Sequence, residues 1–146
     1  MIRPDKRFRL AITLLILNLT IIWGNSLLPG EISGAISGFV RDLIALLFPG
    51  DTPPGTGHGL LRKLAHFTEF ASLGMILTWI MGMLAKPLPL ALAGGFAAAC
   101  IDETIQIFVP DRGPAFTDVL IDTSGVLTGL LLLLLIRRWR RRQLPH

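Results

Sequence analysis

The sequence predicts an all-α polytopic membrane protein, with four transmembrane helices and an amphipathic or re-entrant helix in the first outer loop. Three observations carry this. Of the 146 residues, 51% are hydrophobic and only 16% charged, whereas a soluble domain places roughly a quarter of its residues as Asp, Glu, Lys or Arg. Four apolar windows, at 8–28, 64–84, 88–109 and 118–136, reach the length of about 20 residues that a helix needs to cross hydrocarbon about 30 Å thick. Basic clusters abut the first and last windows, as flanks that orient membrane spans do. The apolar content excludes disorder, and Cys100, the one cysteine, excludes a disulfide-stapled secreted domain.

The first window follows Arg3, Lys6, Arg7 and Arg9. Its basic start and apolar stretch also suit a signal peptide, but Gly24 to Pro29 carries no clear small-x-small cleavage site, so a span is the expectation. Next, Ile32, Ile36, Phe39, Val40, Leu43, Ile44 and Leu47 recur at three- and four-residue intervals, with Gly34, Ser37, Gly38, Arg41 and Asp42 on the other face. That pattern is an amphipathic helix over about 31–48, too short and polar to span, lying at the interface or dipping into it. The stretch from Pro49 to Gly59, with Pro53, Pro54 and four glycines, has linker composition. Pro87 and Pro89 separate the second and third spans, and Pro110 and Pro114 the third and fourth. Neither a repeat nor a separate soluble domain interrupts 1–146, which reads as one membrane domain.

Placing both termini in the cytoplasm puts 10 of the 14 Lys and Arg inside, and only Asp5 of the ten acids. The net charge of +4 then divides into about +9 on the cytoplasmic flank and −5 elsewhere. The basic tails therefore point to topology and anionic lipid, with no nucleic-acid partner. Trp23, Trp79 and Trp139 read as interface anchors or packing residues, and Cys100 as a small packing residue.

Depth makes the remaining polar residues informative. His66 and Glu69 share a face of the second span, just after Arg62 and Lys63. Asp102, Glu103 and Gln106 lie near the end of the third span, and Asp118 and Asp122 at the start of the fourth. All fall within roughly 10 Å of the outer boundary at about 1.5 Å per residue. An ionised group at a span centre costs about 2.5–3.5 kcal/mol, so such a layer must face itself, water or a ligand. Gly95, Ala98 and Ala99 on the third span, with Gly125 and Gly129 on the fourth, offer surfaces for close helix approach. Arg112, in the loop between them, suits carboxylate or phosphate.

Three blocks bear a resemblance to a known family: Lys63-x-x-His66-Phe67-x-Glu69-Phe70, then Asp102-Glu103-x-x-Gln106-x-Phe108-x-Pro110-x-Arg112, then Asp118-x-x-x-Asp122-x-x-Gly125-x-x-x-Gly129. They resemble those of VanZ-like membrane proteins, over Leu61 to Ile136. Asp122 departs from the Asn usual in that family. The resemblance implies a polytopic protein of the bacterial cytoplasmic membrane, in a family related to antibiotic resistance through a founding member associated with teicoplanin resistance and an activity on the cell envelope.

The residues support three expectations. In the first, an outer-leaflet pocket binds or acts on a lipid head group or lipid-linked envelope precursor. Lys63, Arg112 and Gln106 would hold the head group, His66 would act as general acid or base with Glu69 orienting it, and Asp102 and Glu103 would tune it or hold a divalent ion. Asp118 and Asp122 would line the pocket. One histidine and several carboxylates suit Zn, Mn or Mg, although the donors come from three helices without a tight motif. In the second, the protein is an accessory or scaffold that assembles with other membrane proteins, its glycine faces serving as interfaces and its acids as a polar lock. A third, ion transport, fits poorly, because the inner halves of the spans carry almost no ionisable groups.

Overall fold

A computed structural model describes residues 5–47 and 57–143. It contains five helices, α1 (Lys6–Ser26), α2 (Gly30–Leu47), α3 (Gly57–Met83), α4 (Pro89–Ile107) and α5 (Phe116–Gln143), and no strand among the described residues. All but α2 are long and apolar enough to cross a membrane. At about 1.5 Å per residue, the 21 residues of α1 extend roughly 32 Å, matching the hydrocarbon layer.

The helix boundaries differ from hydropathy in a consistent direction. α3 begins at Gly57, so Gly57 and Gly59 belong to a helix and not to a linker, and Arg62 and Lys63 ride on its early turns. The rest of the expected linker, through residue 56, lies outside the described residues, as does Phe48 at the end of the expected interfacial helix. α5 runs past Ile136 to Gln143, because arginine is a good helix former and Arg140, Arg141 and Arg142 suit the negative end of the helix dipole. Hydropathy marks where a helix leaves hydrocarbon, and hydrogen bonding carries it further. Pro89 starts α4 at its first turn, where its missing N–H costs nothing.

The bundle is centred on α3 and α5, whose backbones touch. A Cβ at Gly129 would overlap the Ala71 carbonyl, and one at Gly74 the Val126 carbonyl. The glycine face of α5 is thus spent on α3 within the chain. Ile22, Phe70, Leu73, Ala98, Ala99, Val119 and Val126 form the core where α1, α3, α4 and α5 meet. Outward, Leu10, Leu17, Ile21, Leu131 and Leu135 stay exposed, as lipid-facing side chains must. Asn18 of α1 donates to the Ser72 hydroxyl of α3 at 2.6 Å, a polar bond between two spans.

α2 packs against α3. Its start is tied to the α4–α5 loop: the Gly30 N–H donates to the Pro110 carbonyl at 3.2 Å, and a Cβ at Gly30 would strike the Asp111 carbonyl. Asp111 itself adopts φ 58°, a left-handed conformation that aspartate tolerates better than most residues. Ile32, Ile36, Phe39 and Leu43 remain largely exposed, leaving the apolar side of α2 uncovered by protein.

Candidate functional site

The end of α1, the start of α3, the end of α4 and the start of α5 converge at one end of the bundle, opposite the basic termini. Asp102 of α4 is fully buried and Glu103 nearly so. The Ser26 hydroxyl donates to Asp102 Oδ1 at 2.6 Å, and Gln106, one turn along α4, donates from Nε2 to Asp102 Oδ2 at 2.9 Å and Glu103 Oε1 at 3.3 Å. Glu103 Oε2 accepts from the Ala115 N–H at 2.8 Å. That places a carboxylate at the entrance to α5, where unsatisfied N–H groups and the helix dipole favour negative charge.

On α3, His66 turns Nδ1 toward Asp102 Oδ2 at 3.8 Å, a charge-pairing distance too long for a hydrogen bond. Glu69 does not orient His66. Its Oε1 accepts from Asn25 Nδ2 at 2.5 Å, and the carboxylate facing His66 is that of Asp102. Lys63 pairs with Asp118 at 3.5 Å. Asp122, on α5, is 1% exposed, and neither of its carboxylate oxygens has a hydrogen-bond partner. A ring nitrogen of His66 and one oxygen each of Asp102 and Asp122 lie within 4.8 Å of one another, the donor set in the described residues that could hold a metal ion.

Arg112 comes from the α4–α5 loop. Its Nη2 donates to the Asn25 carbonyl at 3.1 Å, which also accepts from the Leu28 N–H at 3.3 Å, so the loop is tied to the end of α1. Nε and Nη1 are buried without partners. Burial lowers the Arg112 pKa from its ordinary value and the nearby Arg62 adds to this, against the pull of Asp102 and Glu103; a guanidinium stays charged nonetheless. Beside it lies a cavity of about 100 Å³ bounded by Asn25 and Leu28 after α1, Ser33, Ile36 and Ser37 of α2, Arg62, Ala65, His66 and Glu69 of α3, and Arg112. A single water needs about 10–15 Å³, so a larger polar group fits. A second space of about 10 Å³, lined among others by Lys63, His66, Glu103, Asp118 and Asp122, lies on the other side of His66.

The nine residues read from the sequence, Lys63, His66, Glu69, Asp102, Glu103, Gln106, Arg112, Asp118 and Asp122, all gather at this end, but into two compartments. His66, Glu69 and Arg112 face the larger cavity. Lys63, Glu103, Gln106, Asp118 and Asp122 border the smaller one, His66 borders both, and the fully buried Asp102 borders neither. Sequence reasoning missed the contribution of α1, where Asn25 and Ser26 bond two of the acids, and of α2, where Ser33 and Ser37 form a wall. The signals were present: Asn25 and Ser26 end the first span on the side where the acids lie, and Ser33 and Ser37 are one turn apart on the polar face of the amphipathic helix. Trp23, expected as an interface anchor or packing residue, packs against the core, as does Cys100.

The family model described as VanZ/LLP1 matches residues 10–137, which takes in α1 and α2 as well as the three blocks. None of the curated proteins and none of the solved structures matches the chain.

Proposed function

Since the chain belongs to the VanZ/LLP1 family and is a membrane protein, we propose that its polar pocket binds the phosphate-bearing head group of a lipid or lipid-linked cell-envelope precursor. The pocket would open at the outer face of the bacterial cytoplasmic membrane, with both termini in the cytoplasm. The observation that carries the reading is Arg112. It is a half-buried cation with two buried donors, Nε and Nη1, that no group among the described residues accepts from, on the wall of a cavity of about 100 Å³. Buried donors are normally satisfied, and a guanidinium fork matches phosphate in bidentate fashion. Arg62 adds positive charge to the same wall, and Ser33 and Ser37 supply hydroxyls.

The orientation rests on the positive-inside bias, with Arg137, Arg138, Arg140, Arg141 and Arg142 at the far end of α5 from the pocket. The exposed apolar side of α2 suits a helix lying in the interface, so the cavity behind it would be reached laterally from the outer leaflet. Lys63 would act at a distance, being paired with Asp118. His66 borders both compartments and is the side chain positioned to hold or move a proton at a bound head group.

The scaffold alternative loses its main support, because the glycines of α5 are occupied by α3 and offer no face to another protein. The test is binding in maltoside detergent micelles, which carry no phosphate. Undecaprenyl phosphate and phosphatidylglycerol should bind in preference to undecaprenol, which lacks the phosphate. Equal binding of the phosphorylated and unphosphorylated polyprenols would refute a head-group site.

A further inference from the structure

Three of the buried ionisable groups in the polar layer are not accounted for by a phosphate on Arg112. Glu103 is committed to Gln106 and the Ala115 N–H, Asp118 to Lys63, and Glu69 to Asn25 through Oε1, with its Oε2 buried and unpartnered. His66, Asp102 and Asp122 are the groups whose donor atoms converge. Asp122 is 1% exposed with both oxygens unpartnered, and His66 Nδ1 is buried without a hydrogen bond. A carboxylate removed from water with no partner is among the least favourable arrangements a protein interior holds, and native structures rarely leave one uncompensated.

We propose that His66, Asp102 and Asp122 form a binding site for a divalent cation, held between α3, α4 and α5. One donor atom from each lies within 4.8 Å of the other two. A cation about 2.0–2.2 Å from nitrogen and oxygen donors in tetrahedral geometry holds them roughly 3.3–3.6 Å apart, so closure of the side chains by about 1 Å completes the site. Asp102 arrives already oriented: Ser26 and Gln106 each donate to one of its oxygens, leaving lone pairs for a metal. Such bonds from surrounding groups are what hold metal-ligating carboxylates in place. One nitrogen and two oxygens suit Zn²⁺, with Mn²⁺ next.

Charge points the same way. The layer holds five carboxylates, Glu69, Asp102, Glu103, Asp118 and Asp122, against Arg62, Lys63 and Arg112. With all five carboxylates ionised and His66 neutral, as a ligand must be, the excess is two negative charges, which one divalent cation cancels. The space of about 10 Å³ beside His66 and Asp122 is of the size that one water ligand occupies. The site does not depend on head-group binding. Where both are present, the cation lies on one side of His66 and Arg112 on the other.

The test uses the full chain in detergent, stripped with chelator and then titrated with Zn²⁺ or Mn²⁺ alone. Bound metal is measured by elemental analysis and melting temperature by intrinsic fluorescence. About one metal ion per chain and a raised melting temperature are expected for the wild type and for Asp5→Asn, an exposed acid at the start of α1, at the opposite end of the bundle. Asp122→Asn should weaken metal binding at least tenfold, while its melting temperature in chelator equals or exceeds that of the wild type, since it removes an unpaired charge. His66→Gln should weaken binding too, and it serves as the second variant should Asp122→Asn fail to fold. Absence of bound metal in the wild type overturns the proposal, as does metal binding by the foldable variants at wild-type strength. Neither result bears on the polyprenol comparison.

Discussion

Truncating Arg112 should weaken head-group binding by an amount that the structure allows to be worked out. Two of its donors, Nε and Nη1, are buried without acceptors, and Nη2 is held by the Asn25 carbonyl. A hydrogen bond to a charged group contributes about 1.5–3 kcal/mol. Arg112→Ala forfeits two such bonds to phosphate, about 3–6 kcal/mol, or a loss of at least about 150-fold in affinity at 1.4 kcal/mol per tenfold. Arg112→Lys keeps the charge but replaces the fork with a point donor, retaining one bond of the two. Its loss should be about 10- to 150-fold. The assay is a titration of undecaprenyl phosphate into protein in maltoside detergent micelles, with melting temperature measured alongside. Both variants give up the bond to Asn25 in its present geometry, so a similar modest fall in melting temperature is expected for each. The graded series, wild type above Lys above Ala, is the signature of a bidentate phosphate site. Affinity within threefold of wild type for Arg112→Ala, in a protein that remains folded, would refute the assignment of those donors to a ligand.

The packing and topology make further predictions. Gly129→Ala drives a methyl group into the Ala71 carbonyl and should cost about 1–3 kcal/mol in detergent unfolding, whereas Gly24→Ala, which meets no atom within 4 Å, should stay within about 1 kcal/mol of wild type. Ser26→Ala removes a donor from the fully buried Asp102 and should cost about 1–3 kcal/mol; an unchanged melting temperature would argue against α1 as part of the site. With Cys100→Ser as background, Gly113→Cys in the exposed α4–α5 loop should react with a membrane-impermeant maleimide added to intact cells, and Gln143→Cys should react only after lysis. The reverse pattern would invert the proposed topology.

Much of the fold was legible because the bilayer is an exacting solvent. Backbone groups in hydrocarbon must be satisfied within the helix, so an apolar run of about 20 residues has few alternatives. The windows at 8–28, 88–109 and 118–136 accordingly reappear as α1, α4 and α5, and the three- and four-residue spacing after Glu31 reappears as α2. The same logic made the acids conspicuous, since each ionised group in a span stands out against its neighbours. Residues that satisfy those acids do not stand out. Ser26 and Asn25 are ordinary at a helix end, and only the crossing of α1 past α3 and α4 turns them into partners of Asp102 and Glu69.

The sequence by itself determined the four apolar helices, the amphipathic helix and the position of the polar residues toward one end of the spans, because each follows from distance along a single helix. Which polar groups touch depends on how helices rotate about their axes and how closely they approach, and that is set by packing between residues far apart in the chain. Gly74 and Gly129 let α3 and α5 meet backbone to backbone, bringing His66 and Asp122 together. The same packing gives Glu69 to Asn25 rather than to His66, and leaves Arg112 with two donors beside a cavity. Spacing could place nine polar residues in one layer; only the tertiary structure divided them into an arginine-walled cavity and a histidine–carboxylate cluster on either side of His66.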